Sequence, residues 1–224
     1  MEYHFFSCLS EFKNYILNKV IIAYNEAVND GKMFHIVLPG GNTPIPLFKE
    51  LRTMDFDWSI WNIWMADERC TKKDHHLNSI MLRNELIDYI PFNMENIHLI
   101  NGCIEPFEGA KSYQLELRNI PTFNFVLLGI GEDGHVASLF PGNDWGVDEE
   151  ASDTIPVYNS PKYPKERISL SAKRLSRTKH LVFMAAGDSK KEIIKQISIN
   201  DCKTSPVSVI RAEVSNSVVH CAIQ

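Results

Sequence analysis

The sequence predicts an α/β fold, a doubly wound, mainly parallel sheet with helices on both faces. Short apolar runs such as Met33–Leu38 (MFHIVL) and Phe125–Leu128 have the length and composition of buried strands. Segments with helical periodicity separate these runs, and that alternation is typical of parallel sheets. With 224 residues, of which 44% are hydrophobic, the chain can bury one substantial core. We therefore expect a single domain spanning residues 1–224.

Helical and strand patterns alternate through the first half of the chain. Apolar residues at helical spacing predict an amphipathic helix over Ser10–Asn29, which Asp30-Gly31 closes. A further helix follows the glycine-rich turn after Leu38 and buries Leu47, Phe48 and Leu51. The other predicted elements of this half are two strands, Ile60–Met65 and Ile97–Ile100, and two helices, Ile80–Ile90 and Ala110–Arg118.

The second half begins with a long segment that has no clear period. Asn143–Glu166 is acidic at first and contains three prolines, and a loop of this length in a compact domain usually has a function or covers a site. Alternation then predicts a strand over Ile168–Ser171, and an apolar run predicts another over His180–Ala185. A helix opens near Gly187 and continues to Ile197.

The most informative stretch follows the strand Phe125–Leu128. The strand stops at Gly129-Ile130-Gly131, and Asp133-Gly134-His135 supply the polar groups of the loop. Loops past the carboxyl ends of strands are where α/β proteins bind ligands. His135 is the candidate for acid–base chemistry, because imidazole titrates near neutrality. Glycines after strands are common, however, and a lone histidine can also cap a helix or fill a core.

A second candidate is the turn Pro39-Gly40-Gly41-Asn42-Thr43-Pro44, which follows the strand Met33–Leu38. Thr43 is a good N-cap and Pro44 suits the first position of a helix, so free N–H groups are expected to face the loop. Such an N-terminus can bind an anion. An ordinary strand-to-helix turn requires the same residues, so the pattern alone leaves both interpretations open.

Two cationic residues are candidates for binding an anion. Arg69 follows the strand Ile60–Met65, and its planar guanidinium could clamp a phosphate or a carboxylate. The alternative is a surface ion pair with Asp67 or Glu68. Lys190 lies near a predicted helix N-terminus, where anion sites form, although a solvated lysine fits that position equally well.

Composition excludes several classes of protein. The net charge of -5 and a pI near 5.9 argue against a nucleic-acid-binding surface. No apolar run approaches membrane-spanning length, and the start lacks the features of a secretory leader, so we expect a cytoplasmic protein. The adjacent His75 and His76 lack a third ligand at useful spacing, and no zinc motif is present. The cysteines are odd in number and scattered, as in reduced proteins: Cys8, Cys70, Cys103, Cys202 and Cys221.

Five segments, taken in order, resemble a known family. LPGGNTP is similar to a phosphate loop S-G-G-S-T-P, Asp67-Glu68-Arg69 to D-E-R, and Leu128–Gly142 to L-G-x-G-x-D-G-H-x-A-S-L-F-P-G. Ser160-Pro161-Lys162 with Arg167-Ile168-Ser169 resembles an S-P-K and R-I-T segment, and Gly187–Lys190 a G-x-x-K. Together these segments resemble the 6-phosphogluconolactonase family, within the glucosamine-6-phosphate isomerase superfamily.

The resemblance implies hydrolysis of 6-phospho-D-glucono-1,5-lactone to 6-phosphogluconate, in the oxidative pentose phosphate pathway. It implies no metal and no other cofactor, and a small-molecule partner bound by a monomer or a homodimer. His135 would be the general base, with Asp133 the second catalytic candidate. The implied substrate-binding residues are Gly40, Gly41, Asn42, Thr43, Asp67, Arg69, Asn78, Gly131, Arg167 and Lys190.

The chain departs from the family pattern at three places. Leu77-Asn78-Ser79 stands where the family usually has Ser-Asn, which puts the role of Asn78 in doubt. Asn42 replaces the usual loop serine. The C-terminal Val219–Ala222 lacks the common W-x-x-D-x-A-A ending, which bears more on packing than on chemistry.

Two other functions compete with the lactonase. Glucosamine-6-phosphate deaminases resemble this chain around D-G-H, but they place a Glu where Phe140 stands and usually a Tyr where Arg69 stands. A noncatalytic sugar-phosphate-binding protein would keep the phosphate loop but could lose the base, whereas His135 is present.

Overall fold

The computed structural model describes residues 1–73, 76–200 and 204–221. Its helices are α1 (Leu9–Asn29), α2 (Ile45–Leu51), α3 (Asn78–Glu85), α4 (Pro106–Glu116), α5 (Ala172–Ser176) and α6 (Lys191–Asn200). Its strands are β1 (Glu2–Phe6), β2 (Phe34–Leu38), β3 (Trp61–Met65), β4 (Asp67–Arg69), β5 (Ile97–His98), β6 (Phe123–Gly129), β7 (Thr154–Val157), β8 (Arg167–Leu170), β9 (Thr178–Ala186) and β10 (Ser215–Cys221). The sequence-based interpretations of His75, Cys202 and Ala222 lie outside the described residues.

Seven strands form one parallel sheet in the order β1-β10-β9-β6-β2-β3-β5. All residues of β6 from Phe123 to Leu128 are buried, so both faces of this central strand are covered. The helix α1 packs on β2, β6, β9 and β10 and also contacts α2. The predicted α/β class with a mainly parallel sheet is confirmed.

The order of the strands reverses direction at the centre of this sheet. From β2 the chain builds outward through β3 and β5, whereas from β6 it builds outward through β9 and β10 on the other side. The loops that leave the carboxyl ends of β2 and β6 therefore diverge, and a crevice opens between them. Such a switch point is the usual place for a ligand in an open α/β sheet.

A second, antiparallel sheet has the order β4-β8-β7 and adjoins the carboxyl edge of the main sheet. Only Ala66 separates β3 from β4, so the chain passes directly from one sheet into the other. The prediction of an irregular Asn143–Glu166 was wrong in part, because β7 lies within it. Pro156 hid this strand, since proline is tolerated in strands mainly at sheet edges, and β7 is an edge.

Two predicted helix boundaries were also wrong. The N-cap of α2 is Pro44 rather than Thr43, and Pro46 provides the proline of the first turn. The predicted helix Ile80–Ile90 begins earlier, at Asn78, and stops at Glu85. Leu86 leaves the helical region there (φ -137°), and a 3-10 turn, Ile87–Tyr89, follows.

Candidate active site

A cavity of about 180 Å³ opens at the crevice between β2 and β6. Loops after β2, β6 and β9 contribute to its wall, as do β4, β8 and the start of α3. The structure brings these predicted site residues to the cavity: Gly40, Gly41, Thr43, Asp67, Arg69, Asn78, Gly131, His135, Arg167 and Lys190. Asn42 is exposed and does not line it, and Asp133 does not line it either but contacts two residues that do, His135 and Lys162.

The loop after β6 is a tight turn that closes on Gly131. The Gly131 N–H donates to the carbonyl of His135 at 2.8 Å, and the Gly134 N–H donates to the carbonyl of Gly131 at 3.0 Å. A Cβ atom on Gly131 would lie 2.0 Å from Nδ1 of His135 and 2.5 Å from Oδ1 of Asp133. Glycine at position 131 is therefore what allows the two side chains to sit against the turn.

His135 is held on both sides. Its Nδ1 is hydrogen-bonded to Oδ1 of Asp133, which leaves Nε2 as the ring nitrogen available for other partners. The imidazole also stacks on the ring of Phe140, with 4.7 Å between the ring centroids and 29° between the planes. The carboxylate and the stack together fix the position and tautomer of the imidazole.

The environment shifts the pKa of both members of this pair. Burial lowers the pKa of His135, and Lys162 lowers it further, against the hydrogen bond and charge of Asp133, which raise it. For Asp133, burial acts to raise the pKa, but the hydrogen bond and charge of His135, with Lys162, outweigh it and the pKa is lowered. Near neutral pH the pair is thus a neutral imidazole beside an ionised carboxylate, the form that can accept a proton.

Two arginines face each other on neighbouring strands. Arg69 of β4 and Arg167 of β8 are direct partners in the antiparallel ladder. Arg167 is buried, and it donates to the carbonyl of Pro164 at 3.0 Å and to that of Lys162 at 3.3 Å. Burial lowers the pKa of Arg167, and the charge of Arg69 lowers it further, while Asp67 acts against both. Like charges placed directly opposite repel, so this pair favours an anion between or beside them.

Arg69 does not form the surface ion pair that was the alternative interpretation. Its Nη1 donates to the carbonyl of His76 at 2.7 Å. Its Nε is buried and has no hydrogen-bond partner among the residues that the structure describes. Both neighbouring carboxylates are occupied elsewhere, since Asp67 accepts from Ser138 and Glu68 accepts from backbone N–H groups.

Asp67 and Asn78 form a buried polar wall. The Nδ2 of Asn78 donates to the carbonyl oxygen of Asp67 at 3.1 Å and to its Oδ1 at 3.2 Å, and the Ser138 hydroxyl donates to Oδ2 of Asp67 at 2.6 Å. A Cβ on Gly40 would lie 2.0 Å from Oδ1 of Asn78, so the glycine loop packs directly on this amide. Asn78 therefore lies in the wall despite the departure of its segment from the family pattern.

The cavity also contains residues that were not predicted for the site. Lys162 lines it and lies 3.6 Å from Oδ1 of Asp133. The resemblance of Ser160-Pro161-Lys162 to the family segment was the signal that could have identified Lys162. Ala137 has a φ of 51°, unusual for a residue with a side chain, and no sequence pattern indicated it.

Residues 1–73, 76–200 and 204–221 contain no group of three or more His, Cys, Asp or Glu side chains that could hold a metal ion. Across the same residues, no helix combines the length and the apolar character needed to cross a bilayer.

Comparison with known proteins places the chain in a family. The model of the family described as glucosamine-6-phosphate isomerases/6-phosphogluconolactonase matches residues 9–219. The chain belongs to this family. Among family relatives, a 6-phosphogluconolactonase of Haemophilus influenzae is 32% identical over 192 residues, which are 82% of this chain and 82% of the relative.

Other relatives extend the comparison in sequence and in structure. The human GDH/6PGL endoplasmic bifunctional protein is 34% identical over 77% of this chain, but the match spans only 23% of that much longer protein. A crystal structure of a 6-phosphogluconolactonase from Shewanella baltica is 25% identical and superposes with a TM-score of 0.85, covering 99% of this chain and 98% of that one.

The electrostatics of the pair predict how the imidazole titrates. The pKa of His135, followed by its imidazole NMR signals, should lie below the ordinary histidine value of about 6.5, because burial disfavours the charged ring. Asp133→Asn should lower it further, since the carboxylate stabilises the imidazolium. Lys162→Gln should raise it, since a nearby positive charge is removed. A pKa that rises in Asp133→Asn would contradict this account.

Proposed function

We propose that this family member hydrolyses 6-phospho-D-glucono-1,5-lactone to 6-phospho-D-gluconate. The observation that carries the proposal is one cavity in which the Asp133–His135 pair meets the cationic side chains of Arg69, Arg167, Lys162 and Lys190. A phosphorylated lactone is an anion with an activated ester, so it needs both sets of groups. Relatives named 6-phosphogluconolactonase support the same reaction.

The reaction needs one base and one proton return. His135 takes a proton from water through Nε2 while the water oxygen attacks the lactone carbonyl carbon, and a tetrahedral oxyanion forms. The oxyanion collapses, the bond between the carbonyl carbon and the ring oxygen breaks, and the imidazolium returns its proton to that oxygen. Asp133 stabilises the imidazolium through Nδ1, and it stays ionised throughout.

The cations bind the phosphate and stabilise the developing charge. Arg69 and Arg167 are fixed by backbone carbonyls, so their positions are set before the substrate arrives. Preorganised charges in a partly buried site are worth more than the same charges in water. The glycine loop, with Gly40, Gly41 and Thr43 at the cavity, lets the substrate approach the backbone closely. Asn42 is assigned no direct contact.

The competing functions fit the cavity less well. A deaminase that opens the sugar ring needs a carboxylate where Phe140 stands, and Phe140 is a buried ring stacked on His135. A noncatalytic binding protein has no need of a buried, carboxylate-oriented imidazole.

We further propose one domain over residues 1–224, on the grounds of length and composition. The odd number of scattered cysteines supports a cytoplasmic location, and the family resemblance implies a monomer or homodimer.

The deciding experiment is a lactonase assay on freshly generated 6-phosphogluconolactone. Product formation is coupled to an excess of a 6-phosphogluconate dehydrogenase and corrected for spontaneous hydrolysis. We expect rapid hydrolysis, with much weaker activity on unphosphorylated gluconolactone. Ammonia release from glucosamine 6-phosphate would favour the deaminase, and binding of 6-phosphogluconate without turnover would favour the noncatalytic protein.

His135→Ala should remove the base while leaving the fold and the phosphate site in place. We expect kcat to fall by about 10²–10⁴. Wild-type kcat/KM should rise with pH through an ionisation below about 6.5, because burial lowers the pKa of His135, and the variant should lack that step. A folded His135→Ala protein with near-normal turnover would move the base elsewhere, and Asp133 would then be tested first.

Arg69→Ala should weaken binding of the phosphorylated product. Loss of one charge-assisted hydrogen-bonding group costs about 1.5–3 kcal/mol, measured by calorimetry with 6-phosphogluconate. Arg83→Ala is the matched control, because it removes the same charge from a surface pair with Asp88. Equal affinities in the two variants would mean that only net charge matters.

Gly131→Ala should lower kcat although it leaves every functional side chain chemically unchanged. The added Cβ would occupy space held by His135 and Asp133, and misplacement by about 1 Å can cost 10²-fold in rate. Gly31→Ala, just after α1, is the control, since a Cβ there meets nothing within 4 Å and Gly31 does not line the cavity. If both alanine variants had the same kcat, the turn at Gly131 would not be what positions the pair.

A further inference from the structure

Glu68 lies between two residues of the cavity but points away from it. Asp67 and Arg69 flank it on β4 and both line the cavity, and alternate residues of a strand face opposite sides. Glu68 itself is fully buried. Its environment raises its pKa because burial disfavours the charge, while hydrogen bonds to the carboxylate act in the opposite sense. The proposed mechanism makes no use of this carboxyl group.

Three backbone N–H groups donate to the Glu68 carboxylate, and the side chain of Ser79 also hydrogen-bonds to it. Its Oε1 accepts from the N–H of Asn78 at 2.7 Å and from that of Arg69 at 2.8 Å, and its Oε2 accepts from the N–H of Ser79 at 2.7 Å. Asn78 and Ser79 are the first residues of α3, and Leu77 at the N-cap position offers no side-chain acceptor. Glu68, on β4, therefore caps the N-terminus of α3. The free N–H groups and the helix dipole at that end favour a negative charge.

The start of α3, which Glu68 anchors, positions two parts of the cavity wall. Asn78 donates to Asp67 and packs against Gly40, so its position sets where the glycine loop lies. Two residues earlier, the carbonyl of His76 accepts from Nη1 of Arg69. A shift of the start of α3 would thus move Asn78, the glycine loop and the guanidinium of Arg69 together. The Asp133–His135 pair lies on a different loop, after β6.

We propose that Glu68 is a positioning residue that sets the phosphate-binding half of the cavity by anchoring the start of α3 to β4. It acts through Arg69, Asn78 and the glycine loop, and it contributes to substrate binding more than to the chemical step. This inference rests on the proposed lactonase function for its kinetic consequences, whereas its effect on the affinity for a sugar phosphate can be measured without turnover.

The test is Glu68→Gln. Glutamine keeps the shape but replaces one acceptor oxygen with an NH₂ group, which donates and therefore opposes a backbone N–H. We expect KM for the lactone and Kd for 6-phosphogluconate to rise by about tenfold or more, the fold-change for loss of about one charge-assisted hydrogen bond to the phosphate. The kcat should stay within about threefold, since interactions made equally in the ground and transition states affect KM alone.

Glu105→Gln is the matched control. Glu105 also caps a helix, α4, by accepting from the N–H groups of Phe107 and Glu108, and it accepts from the hydroxyl of Tyr158 as well. None of these three residues lines the cavity. Both variants should lose thermal stability, but only Glu68→Gln should raise KM and Kd. Equal KM values in both variants and the wild type would overturn the proposal.

Two further variants make the result independent of a folding defect. Glu68→Asp keeps a carboxylate with two acceptors, so it should retain more affinity than Glu68→Gln. If the Gln variant does not fold, the Asp variant is compared with Glu105→Gln instead.

In an Arg69→Ala background, Glu68→Gln should weaken binding far less than in the wild type, because the guanidinium that Glu68 helps to position is already absent. Additive effects, or a fall in kcat with unchanged KM, would overturn the positioning role. Wild-type protein without lactonase activity would overturn the proposed function, while the Kd comparison would still decide this inference.

Discussion

The arrangement of the molecule depends on one constraint, the parallel pairing of β2 with β6 at the centre of the sheet. Parallel strands place their carboxyl ends at one edge, and here the chain leaves that edge in opposite directions on the two sides of the pair. The glycine loop after β2 and the Asp133–His135 turn after β6 consequently face each other across a gap. No other junction in the described sheet reverses direction in this way. Strand order therefore sets the position of the cavity, whatever side chains line it.

The distribution of charge follows from this geometry. The chain has a net charge of -5, yet its cavity gathers two arginines and two lysines from three separate segments. Acidic residues nearby are directed to other tasks, since Asp67 holds Asn78 and Ser138, Glu68 caps α3, and Asp133 orients His135. An acidic protein can in this way present a positive interior to an anionic ligand while its outer surface remains negative.

Local sequence patterns predicted those parts of the fold and site that depend on neighbours in the chain. The strands β2, β3, β6 and β9 are largely apolar, and glycine-containing turns directly follow β2, β6 and β9, so both the strands and the turns were identified. β7 was missed because Pro156 disguises an edge strand. Arg69 and Arg167 face each other because β4 and β8 form an antiparallel ladder between segments almost a hundred residues apart. No local pattern encodes that pairing. Lys162 was also missed; its carbonyl accepts a hydrogen bond from Arg167, so it lies at the cavity where that ladder places Arg167.

The arginine pair of β4 and β8 has a consequence for the mechanics of the fold. β4 continues from β3 through Ala66, and this ladder pairs it with β8, which in turn pairs with β7; β7 and β8 also contact α4. Two positive charges set opposite each other weaken that seam in the free protein. A phosphate bound at this pair, as proposed above, would neutralise the two charges, and because it binds only the native state it would stabilise the fold more as its concentration rises. Under the proposed function, the substrate's phosphate would thus also be an ionic cross-link between β4 and β8 within the antiparallel sheet, and this ladder would be strongest while the lactone is bound.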